Sequence, residues 1–435
     1  MVRYTPSSQS VNPLLGRRAV LRGLLLTAGI AAVPGGLAAC GSSGSGSSSN
    51  GTVTFGNNLS DQVPKDAITA ALKGFDTDAL KISINTKQHE QYQEQINNYL
   101  QGKPDDVLAW FAGYRMRFFA EKGLTGDLSD VWSTVGDNYA PALKEAATAK
   151  DGKQYLVPFT QYPWGVFYLK SVWAQRGYEV PKTIDQFVAL STKMKADGLA
   201  PIAFAQKQGW PGMGTFDQLN FRTNGYQFHV DLMAGKEDWQ GKKVRDVFDQ
   251  WKRLLPFHQE NGLGREWQEA AQSVQQGKSG MYLLGTFVAQ QFKGQEDDLD
   301  FFAFPEINPE FGQDTVEAPI DGYMMAKKPA NPEGAKKLLE YLAKPETQLA
   351  YLKSDPSSIA TSTKADTSGY TALQKKAVDV IKNAKHITQF LDRDTDPRFA
   401  SDAATNGLNA FIQNPNDIDS VLKGMADQAK TIFTG

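Results

Sequence analysis

The chain has 435 residues, of which 22% are charged and 11% are aromatic, and its formal net charge at pH 7 is −2. Because it carries no excess of basic residues, we expect neither nucleic acid nor an anionic membrane surface as its ligand. Its one cysteine, Cys40, excludes an intrachain disulfide bond and a metal site built from cysteines.

Residues 1–39 have the pattern of an export signal. Arg17, Arg18 and Arg22 precede an apolar run at residues 24–33, which is shorter than the roughly 20 residues that a membrane-spanning helix needs. The arginine pair resembles a twin-arginine signal, and the general export route is the alternative. Either route predicts a mature protein outside the cytoplasm.

Cys40 predicts a lipid anchor. Residues 37–40 (LAAC) resemble a bacterial lipobox, in which the cysteine becomes the acylated first residue of the mature protein; an unmodified thiol is the alternative. Residues 41–51 (GSSGSGSSSNG) contain no apolar side chain and predict a flexible linker. We therefore expect residues 40–51 to tether a folded body to the outer face of the cell membrane.

The folded body begins with short apolar runs that alternate with amphipathic segments. This alternation predicts an α/β fold with a largely parallel sheet. The predicted strands of this opening part are residues 53–55, 80–84 and 107–111, and the predicted helices are residues 65–75, 90–100 and 115–122.

Later segments carry recognisable helix starts. Residues 183–186 (TIDQ) form a capping-box sequence, and Asn331 before Pro332 is typical of a second helix start. Apolar residues recur at helical spacing near the end of the chain and predict helices at residues 371–385, 401–413 and 417–432.

The body is long enough for two lobes. About 385 residues follow the linker, which is more than one hydrophobic core usually serves. Pairs of predicted strands interrupted by irregular residues indicate crossings between two sheets; they lie at residues 155–159 with 165–169 and at 300–304 with 319–325. The predicted lobes are therefore interwoven: residues 52–159 with 306–352 form one, and residues 160–305 with 353–435 form the other.

Short motifs follow one another along the body. They are residues 104–107 (PDDV), 120–124 (AEKGL), 155–158 (YLVP), 276–281 (QGKSGM), 321–323 (DGY) and the helix from Asn331 to about residue 346. Each motif alone is weak. Their order and spacing, together with the lipobox and linker, resemble the extracellular solute-binding proteins of carbohydrate ABC importers, the family that includes maltodextrin-binding proteins.

The resemblance implies a two-lobed, periplasmic-binding-protein-like fold that closes over its ligand by a hinge motion. It implies a receptor that captures a mono- or oligosaccharide and delivers it to the permease of an ABC importer, without a cofactor. Sugar faces lie flat on aromatic rings, whereas their hydroxyl groups need directional donors and acceptors. Because such a receptor must open and dock, we expect a monomer.

Comparison with the family points to fifteen ligand-binding positions. Most of them end or follow predicted strands or lie on the crossings between the lobes. They are Asn57, Asn58, Gln88, Glu90, Phe111, Tyr114, Arg115, Tyr162, Trp164, Trp210, Thr286, Asp321, Tyr323, Arg393 and Asp394.

Core packing is the alternative for the aromatic members of this set. Tyr162 and Trp164 flank Pro163 in a loop, which favours ligand binding, whereas Phe111 ends a strand and is typical of a core. A structural role is expected for five tryptophans in helical or surface patterns: Trp132, Trp173, Trp239, Trp251 and Trp267.

Other classes of function stay open on the residues alone. A glycoside hydrolase uses two carboxylates about 5 to 10 Å apart, but no motif places such a pair, so we expect no enzyme. A metal site is disfavoured because none of the four histidines, His89, His229, His258 and His386, pairs with another at ligand spacing. A polyamine or peptide receptor is a further alternative, since carboxylates and aromatic rings together can enclose a cation.

Overall fold

The structure, a computed structural model, describes residues 51–433 except residues 76 and 78. The predicted export signal, Cys40 and the linker up to residue 50 lie outside the described residues. None of the helices within the described part of the chain is both long enough and apolar enough to cross a membrane.

Strands and helices alternate along much of the described chain, as the apolar pattern predicts. The strands are β1 (Thr52–Asn57), β2 (Lys81–Thr86), β3 (Val107–Phe111), β4 (Val157–Gln161), β5 (Trp164–Leu169), β6 (Ala200–Ala203), β7 (Ser279–Gly285), β8 (Leu299–Phe302), β9 (Thr315–Glu317), β10 (Ile320–Met325), β11 (Ile359–Ala360) and β12 (His386–Thr388). The α-helices are α1 (Gln62–Leu72), α2 (His89–Gln101), α3 (Tyr114–Glu121), α4 (Ser129–Val135), α5 (Pro141–Ala146), α6 (Lys170–Arg176), α7 (Ile184–Ala196), α8 (Trp210–Met233), α9 (Lys242–Leu254), α10 (Trp267–Gln275), α11 (Pro332–Leu342), α12 (Pro345–Ser354), α13 (Ala372–Asn383), α14 (Leu391–Asp394), α15 (Thr405–Gln413) and α16 (Ile418–Phe433).

The strands form two main sheets. The larger sheet has the order β11-β4-β10-β3-β1-β2, the smaller has the order β6-β7-β5-β8, and β9 pairs with β12 alone. Pairing is parallel between β1 and its neighbours and between β6 and β7. Every antiparallel pair includes β4, β5 or β10, the strands beside the crossings between the sheets. The sheets are therefore mixed rather than largely parallel, because these strands enter from the opposite direction.

Each main sheet supports its own hydrophobic core. The core of the larger sheet includes Phe55, Trp110 and Leu338, and we call this part of the molecule the first lobe. The core of the smaller sheet includes Phe167 and Trp251, and we call this part the second lobe. Two separate cores agree with the expectation that so long a chain exceeds one core.

The described chain passes between the two cores three times. These crossings lie between Phe159 and Tyr162, between Phe304 and Ile320, and between Ala377 and Phe390. The interwoven arrangement expected from the sequence therefore has a third connection near the end of the chain.

The third crossing lies beyond residue 352, where the sequence places the boundary. Strand β11 pairs with β4 of the larger sheet, and this pairing keeps the chain on the first lobe. Helix α13 then lies against both lobes: Ala377 packs in the first core, whereas Leu373 and Val380 pack against the second. The apolar pattern predicts a helix here but does not show that it contacts two lobes, because its apolar residues pack against two cores instead of one.

The predicted helix starts are formed by side-chain caps. The Thr183 side chain accepts a hydrogen bond from the backbone N–H of Gln186 at the start of α7. Asn331 caps α11 in the same way through the N–H of Gly334, and Pro332 occupies the first turn, where its missing N–H has no consequence.

Candidate functional site

A cavity of about 720 Å³ lies between the two lobes. The first lobe contributes the carboxyl ends of β1 and β3, the start of α2 and part of β10. The second lobe contributes the starts of β5, α8 and α10 and the segment after β7. Because both lobes supply its walls, any ligand held there contacts both at once.

The second lobe lines the cavity with an aromatic wall. Its members are Tyr162, Trp164, Trp210, Trp267, Phe287 and Phe390. Their rings contact one another: Trp164 stacks on Phe390 with centroids 5.2 Å apart, and Phe287 meets Trp210 and Trp267 at 5.7 Å and 5.3 Å. Such a wall offers a broad apolar surface for a flat ligand.

Trp164 belongs to the wall and to the packing of helix α8 as well. Its side chain is only 4% exposed. A β-carbon added at Gly214 of α8 meets Trp164 Cζ3 at 2.2 Å, so the ring occupies the space that any larger residue needs. The ring therefore packs against α8, and it also lines the cavity, where ligand binding stays a prediction.

Three tryptophans that line the cavity have unsatisfied indole N–H groups. Trp110, Trp164 and Trp210 each bury Nε1 with no hydrogen-bond partner among the described residues. Buried donors normally have partners, because leaving one unpaired costs about 1 to 3 kcal/mol. The cavity also contains unpartnered acceptors, the side-chain oxygens of Gln208 and Gln268. These atoms lie beneath the cavity surface, so a hydroxylated ligand reaches them only where a lining side chain moves.

The first lobe faces this wall with polar side chains and with five further aromatic rings. Asn58 follows β1, and Gln88, His89, Glu90 and Gln93 lie at the start of α2. The two ring nitrogens of His89 lie 3.1 Å from Asn58 Nδ2 and 2.7 Å from Gln93 Nε2. Burial lowers the pKa of His89, and the nearby Arg393 lowers it further, which favours a neutral imidazole.

Arg393 connects both lobes beside the cavity. Its Nη1 donates to Asp321 Oδ1 of β10 at 2.8 Å, and its Nη2 donates to the Tyr162 hydroxyl at 2.9 Å. The guanidinium carbon lies 3.9 Å from the centroid of the Phe111 ring. Burial raises the pKa of Asp321, and Arg393 opposes that rise. These contacts fix Arg393 between a first-lobe strand and a crossing.

Carboxylates cluster at the more exposed part of the cavity. Asp61, Glu90 and Glu94 come from the first lobe, and Glu266 comes from the second. Gln268 Nε2 of α10 lies 3.5 Å from both carboxylate oxygens of Asp61, so the lobes approach each other here. We call these four carboxylates the acidic group.

The structure brings ten of the fifteen predicted site residues to the cavity. Both lobes contribute to this set. The ten are Asn58, Gln88, Glu90, Phe111, Tyr162, Trp164, Trp210, Asp321, Tyr323 and Arg393.

The other five, Asn57, Tyr114, Arg115, Thr286 and Asp394, do not line the cavity. Four of them instead fix the backbone or side chains behind it. Asn57 Nδ2 donates to Thr86 Oγ1 at 3.2 Å, and the Thr286 hydroxyl donates to the Ser357 carbonyl. Asp394 accepts from the Gln389 N–H at 2.9 Å, Arg115 donates to Gln93 at 2.6 Å, and Tyr114 begins α3. Their neighbours in sequence, such as Asn58 and Phe287, face the cavity instead.

Several lining residues have only a weak signal in the sequence. Trp267, expected to be structural, lines the cavity because it occupies the first turn of α10, which points at the cleft. Phe287 follows Thr286, and the turn at residues 286–291 directs the aromatic ring inward. His89 lies between Gln88 and Glu90, and this position is the signal that sequence reasoning could have used.

The described residues contain no group of three His, Cys, Asp or Glu side chains arranged to hold a metal ion.

Comparison with known proteins places these observations in context. Residues 60–349 match the model of the family described as bacterial extracellular solute-binding protein. The crystal structure of the bacterial solute receptor AcbH is 43% identical, covers 88% of this chain and 100% of its own, and superposes with a TM-score of 0.86. AcbH is described as having an exclusive substrate preference for β-D-galactopyranose.

More distant relatives are similar over most of their length. An uncharacterised ABC transporter extracellular-binding protein of Pyrococcus horikoshii is 26% identical over 369 residues, which is 83% of this chain and 85% of the relative. The receptor RafE, solved in complex with raffinose, is 17% identical, covers 88% of this chain and 99% of its own, and superposes with a TM-score of 0.74. At that identity the likeness concerns the two-lobed fold alone.

Proposed function

The chain belongs to the bacterial extracellular solute-binding proteins, and from that premise we propose that it is the sugar receptor of an ABC importer. The receptor captures a pyranose in the cavity between its lobes and delivers it to a membrane permease. Because each lobe contributes one side of the site, a bound sugar stabilises the closed arrangement through its higher affinity for that state.

The observation that carries the proposal is the combination of aromatic rings and polar groups around one cavity. Six aromatic rings from the second lobe and five from the first line it, and amide, imidazole and carboxylate groups lie among them. Trp110, Trp164 and Trp210 also bury indole N–H groups that have no partner among the described residues. Hydroxyl groups on an otherwise apolar ring match both kinds of lining group.

Among the sugars, galactopyranose is the proposed ligand. The support is the similarity to AcbH, which extends over the whole of that receptor at 43% identity. A cavity of about 720 Å³ lies within the range of about 300 to 1,000 Å³ usual for small-molecule sites. It is large enough that an oligosaccharide remains the competing ligand.

The proposed place of action follows from the sequence. Export by residues 1–39 and acylation of Cys40 put the receptor on the outer face of the cell membrane, with residues 41–51 as its tether. We propose that it acts as a monomer and breaks no bond in its ligand.

Calorimetric titration of the purified protein with single sugars tests the proposal. We expect D-galactose to bind more tightly than D-glucose, and raffinose to bind more weakly than either. Chromatography of the recovered sugar should show it unchanged. Absence of binding by every sugar, or turnover in proportion to added protein, would reject the proposal.

A polyamine receptor is the second candidate, because the acidic group places four carboxylates at the cavity. Two lining carboxylates already pair with cations of the protein: Glu266 with Lys207 at 2.6 Å and Asp321 with Arg393 at 2.8 Å. Putrescine belongs in the same titration series. Putrescine binding in the absence of sugar binding would favour this candidate.

A further inference from the structure

Carboxylates outnumber cations in the cavity. Among the lining residues that the structure describes, seven are Asp or Glu, and two are Lys or Arg. The carboxylates are Asp61, Glu90, Glu94, Glu266, Asp321, Asp355 and Asp392, and the cations are Lys207 and Arg393.

Both cations already have partners within the protein. Lys207 Nζ lies 2.6 Å from Glu266 Oε1. Arg393 donates to Asp321 and to the Tyr162 hydroxyl and also covers the Phe111 ring. The charge of each cation is therefore already offset by a carboxylate, so a negatively charged ligand gains less from it than from an unpaired cation.

The remaining basic side chains near the cavity do not change this balance. Arg115 does not line the cavity; it donates to Gln93 at 2.6 Å and lies 3.8 Å from Asp392 Oδ2. Burial lowers the pKa of His89, which favours its neutral form. A ligand carboxylate therefore meets no unpaired cation among the described lining residues.

The carboxylates of the acidic group already repel one another. Burial raises the pKa of Asp61 and Glu90, and Glu266 of the second lobe raises both further, whereas His89 opposes the rise at Asp61. A group whose charged form is disfavoured by its neighbours reports a negative local potential. A further negative charge on the ligand would increase this repulsion as the lobes close.

We infer that the site selects its ligand by charge: it accepts neutral pyranoses and rejects anionic ones, with Asp61, Glu90 and Glu266 as the determinants. The class rejected includes uronic acids and sugar phosphates. The inference rests on the proposed sugar-receptor function and adds to it a rule for which sugars enter. Hydroxyl recognition alone does not supply this rule, because a uronic acid keeps the ring hydroxyls of its parent sugar.

The test compares neutral and anionic forms of one sugar by calorimetry at neutral pH. The ligands are D-galactose, D-galacturonate, which is charged at C6, and galactose 1-phosphate, which is charged at C1. We expect both anions to bind at least about 30-fold more weakly than galactose. That factor corresponds to one uncompensated pair of like charges 8 Å apart at an effective dielectric constant of about 20. The two anions carry their charge at different carbons. Weak binding of both indicates electrostatic repulsion, whereas weak binding of only one indicates a steric clash at that carbon.

Glu266→Gln separates electrostatic rejection from steric rejection. The substitution removes one carboxylate and leaves Lys207 without its partner, so we expect the ratio of anion Kd to galactose Kd to fall by about tenfold. Glu121→Gln is the matched control, since it breaks the exposed ion pair with Lys150 and changes the net charge equally without lining the cavity. The control should keep the wild-type ratio. High salt should also reduce the wild-type ratio, because mobile ions screen the more exposed charges.

Three results would overturn the inference. Either anion could bind within a few-fold of galactose in the wild type. Alternatively, the ratio could be the same in Glu266→Gln, in Glu121→Gln and at high salt, which would make the rejection steric. If galactose itself does not bind, the proposed function fails and the inference fails with it. The first two results leave galactose binding intact, so the two failures are distinguishable.

Discussion

Arg393 is the residue on which the geometry around the cavity most depends. Its side chain is 8% exposed, and its two donors hold Asp321 of the first lobe and Tyr162 of the first crossing. Removing one partner of such a pair leaves the other charge without compensation, which costs more than the pair contributes when intact. The residue therefore acts on the site by fixing Asp321 and Tyr162 in place.

Arg393→Met should lower the free energy of unfolding by about 2 to 4 kcal/mol, because Asp321 and the Tyr162 hydroxyl lose their partner. Chemical denaturation measures this change. Asp321→Asn added to the same protein should recover part of the loss by removing the unpaired charge. Arg253→Met is the control: its ion pair with Asp185 is exposed, so a loss of no more than about 1 kcal/mol is expected. Equal losses in the two single variants would contradict this account.

The indole N–H of Trp210 gives a second residue-scale prediction. Trp210→Phe keeps an aromatic ring in the wall but removes the unpartnered donor. If that donor bonds a sugar hydroxyl, galactose affinity should fall by about 1 kcal/mol, roughly fivefold. Trp251→Phe removes an equally unpartnered N–H from the second core and should leave the affinity unchanged. Calorimetry on both variants measures these affinities. If Trp210→Phe and Trp251→Phe bind galactose equally well, Trp210 Nε1 does not contact the ligand.

At the residue scale, aromatic residues in loops were easier to predict than those in helices. Tyr162 and Trp164 flank a proline at a crossing, where neither strand nor helix periodicity explains them, and both line the cavity. Trp267 lies in a helix whose other apolar residues face the core, so its sequence pattern is that of a buried residue. Phe287 lines the cavity and Thr286 does not, because the geometry of the turn decides which side chain faces inward. The identity of a single residue does not predict that geometry.

Two elements of the second lobe set the shape of the aromatic wall. Helix α8 passes close behind Trp164, and Gly214 is the position of closest approach. Strand β9, which lies in the second crossing, passes beside the same helix: Gln218 of α8 donates to Glu317 Oε2 at 2.9 Å. Helix α8 thus connects the wall of the site to the second crossing.

Gly214→Ala should disturb stability and binding together. The new β-carbon would meet Trp164 Cζ3 at 2.2 Å, so the ring or the helix must move. Overpacking of this kind costs about 1 to 3 kcal/mol, and a displaced Trp164 should weaken galactose binding as well. Gly424→Ala in α16 is the matched control, because nothing lies within 4 Å of its added carbon. The control should gain about 0.5 to 1 kcal/mol of stability, and a gain of that size at Gly214 would be inconsistent with the packing described.

Buried carboxyl groups beside the second crossing should make the free energy of unfolding depend on pH. Burial raises the pKa of Asp217 on α8 and of Glu317 on β9 well above their ordinary values. Burial also raises the pKa of Asp394 to about 6. In the unfolded chain these groups ionise near pH 4. Their contribution to stability is therefore complete below about pH 4 and is lost as the pH rises through the folded-state pKa values.

Glu317→Gln tests this assignment, since a glutamine resembles the protonated glutamate but cannot ionise. The stability of the variant relative to wild type should improve between pH 5 and pH 8, as measured by denaturant unfolding at each pH. The groups around Glu317 are Asp217, Gln218, Arg393 and Asp394, of which only the carboxyls titrate in this range. Asp185→Asn on the surface is the control. A difference between Glu317→Gln and wild type that is constant with pH would contradict the raised pKa.

On the scale of the whole molecule, two cores and three crossings create one cavity that neither lobe could form alone. The two-lobed α/β fold was predictable because chain length, alternating elements and paired crossing strands all indicate it. The position of the third crossing was not, because Ala377 on α13 packs in the first core while Leu373 and Val380 pack against the second. The antiparallel pairs were also not predictable, since strand direction depends on where the chain re-enters a sheet.

A crystal structure of the protein with D-galactose tests the central claim most directly. The account predicts a pyranose between the aromatic wall and the first lobe, with one face on a ring of the wall. At least one of Trp110, Trp164 and Trp210 should donate from Nε1 to a sugar oxygen at about 2.7 to 3.2 Å. A sugar bound outside the cavity, or a cavity without sugar at a saturating galactose concentration, would contradict it.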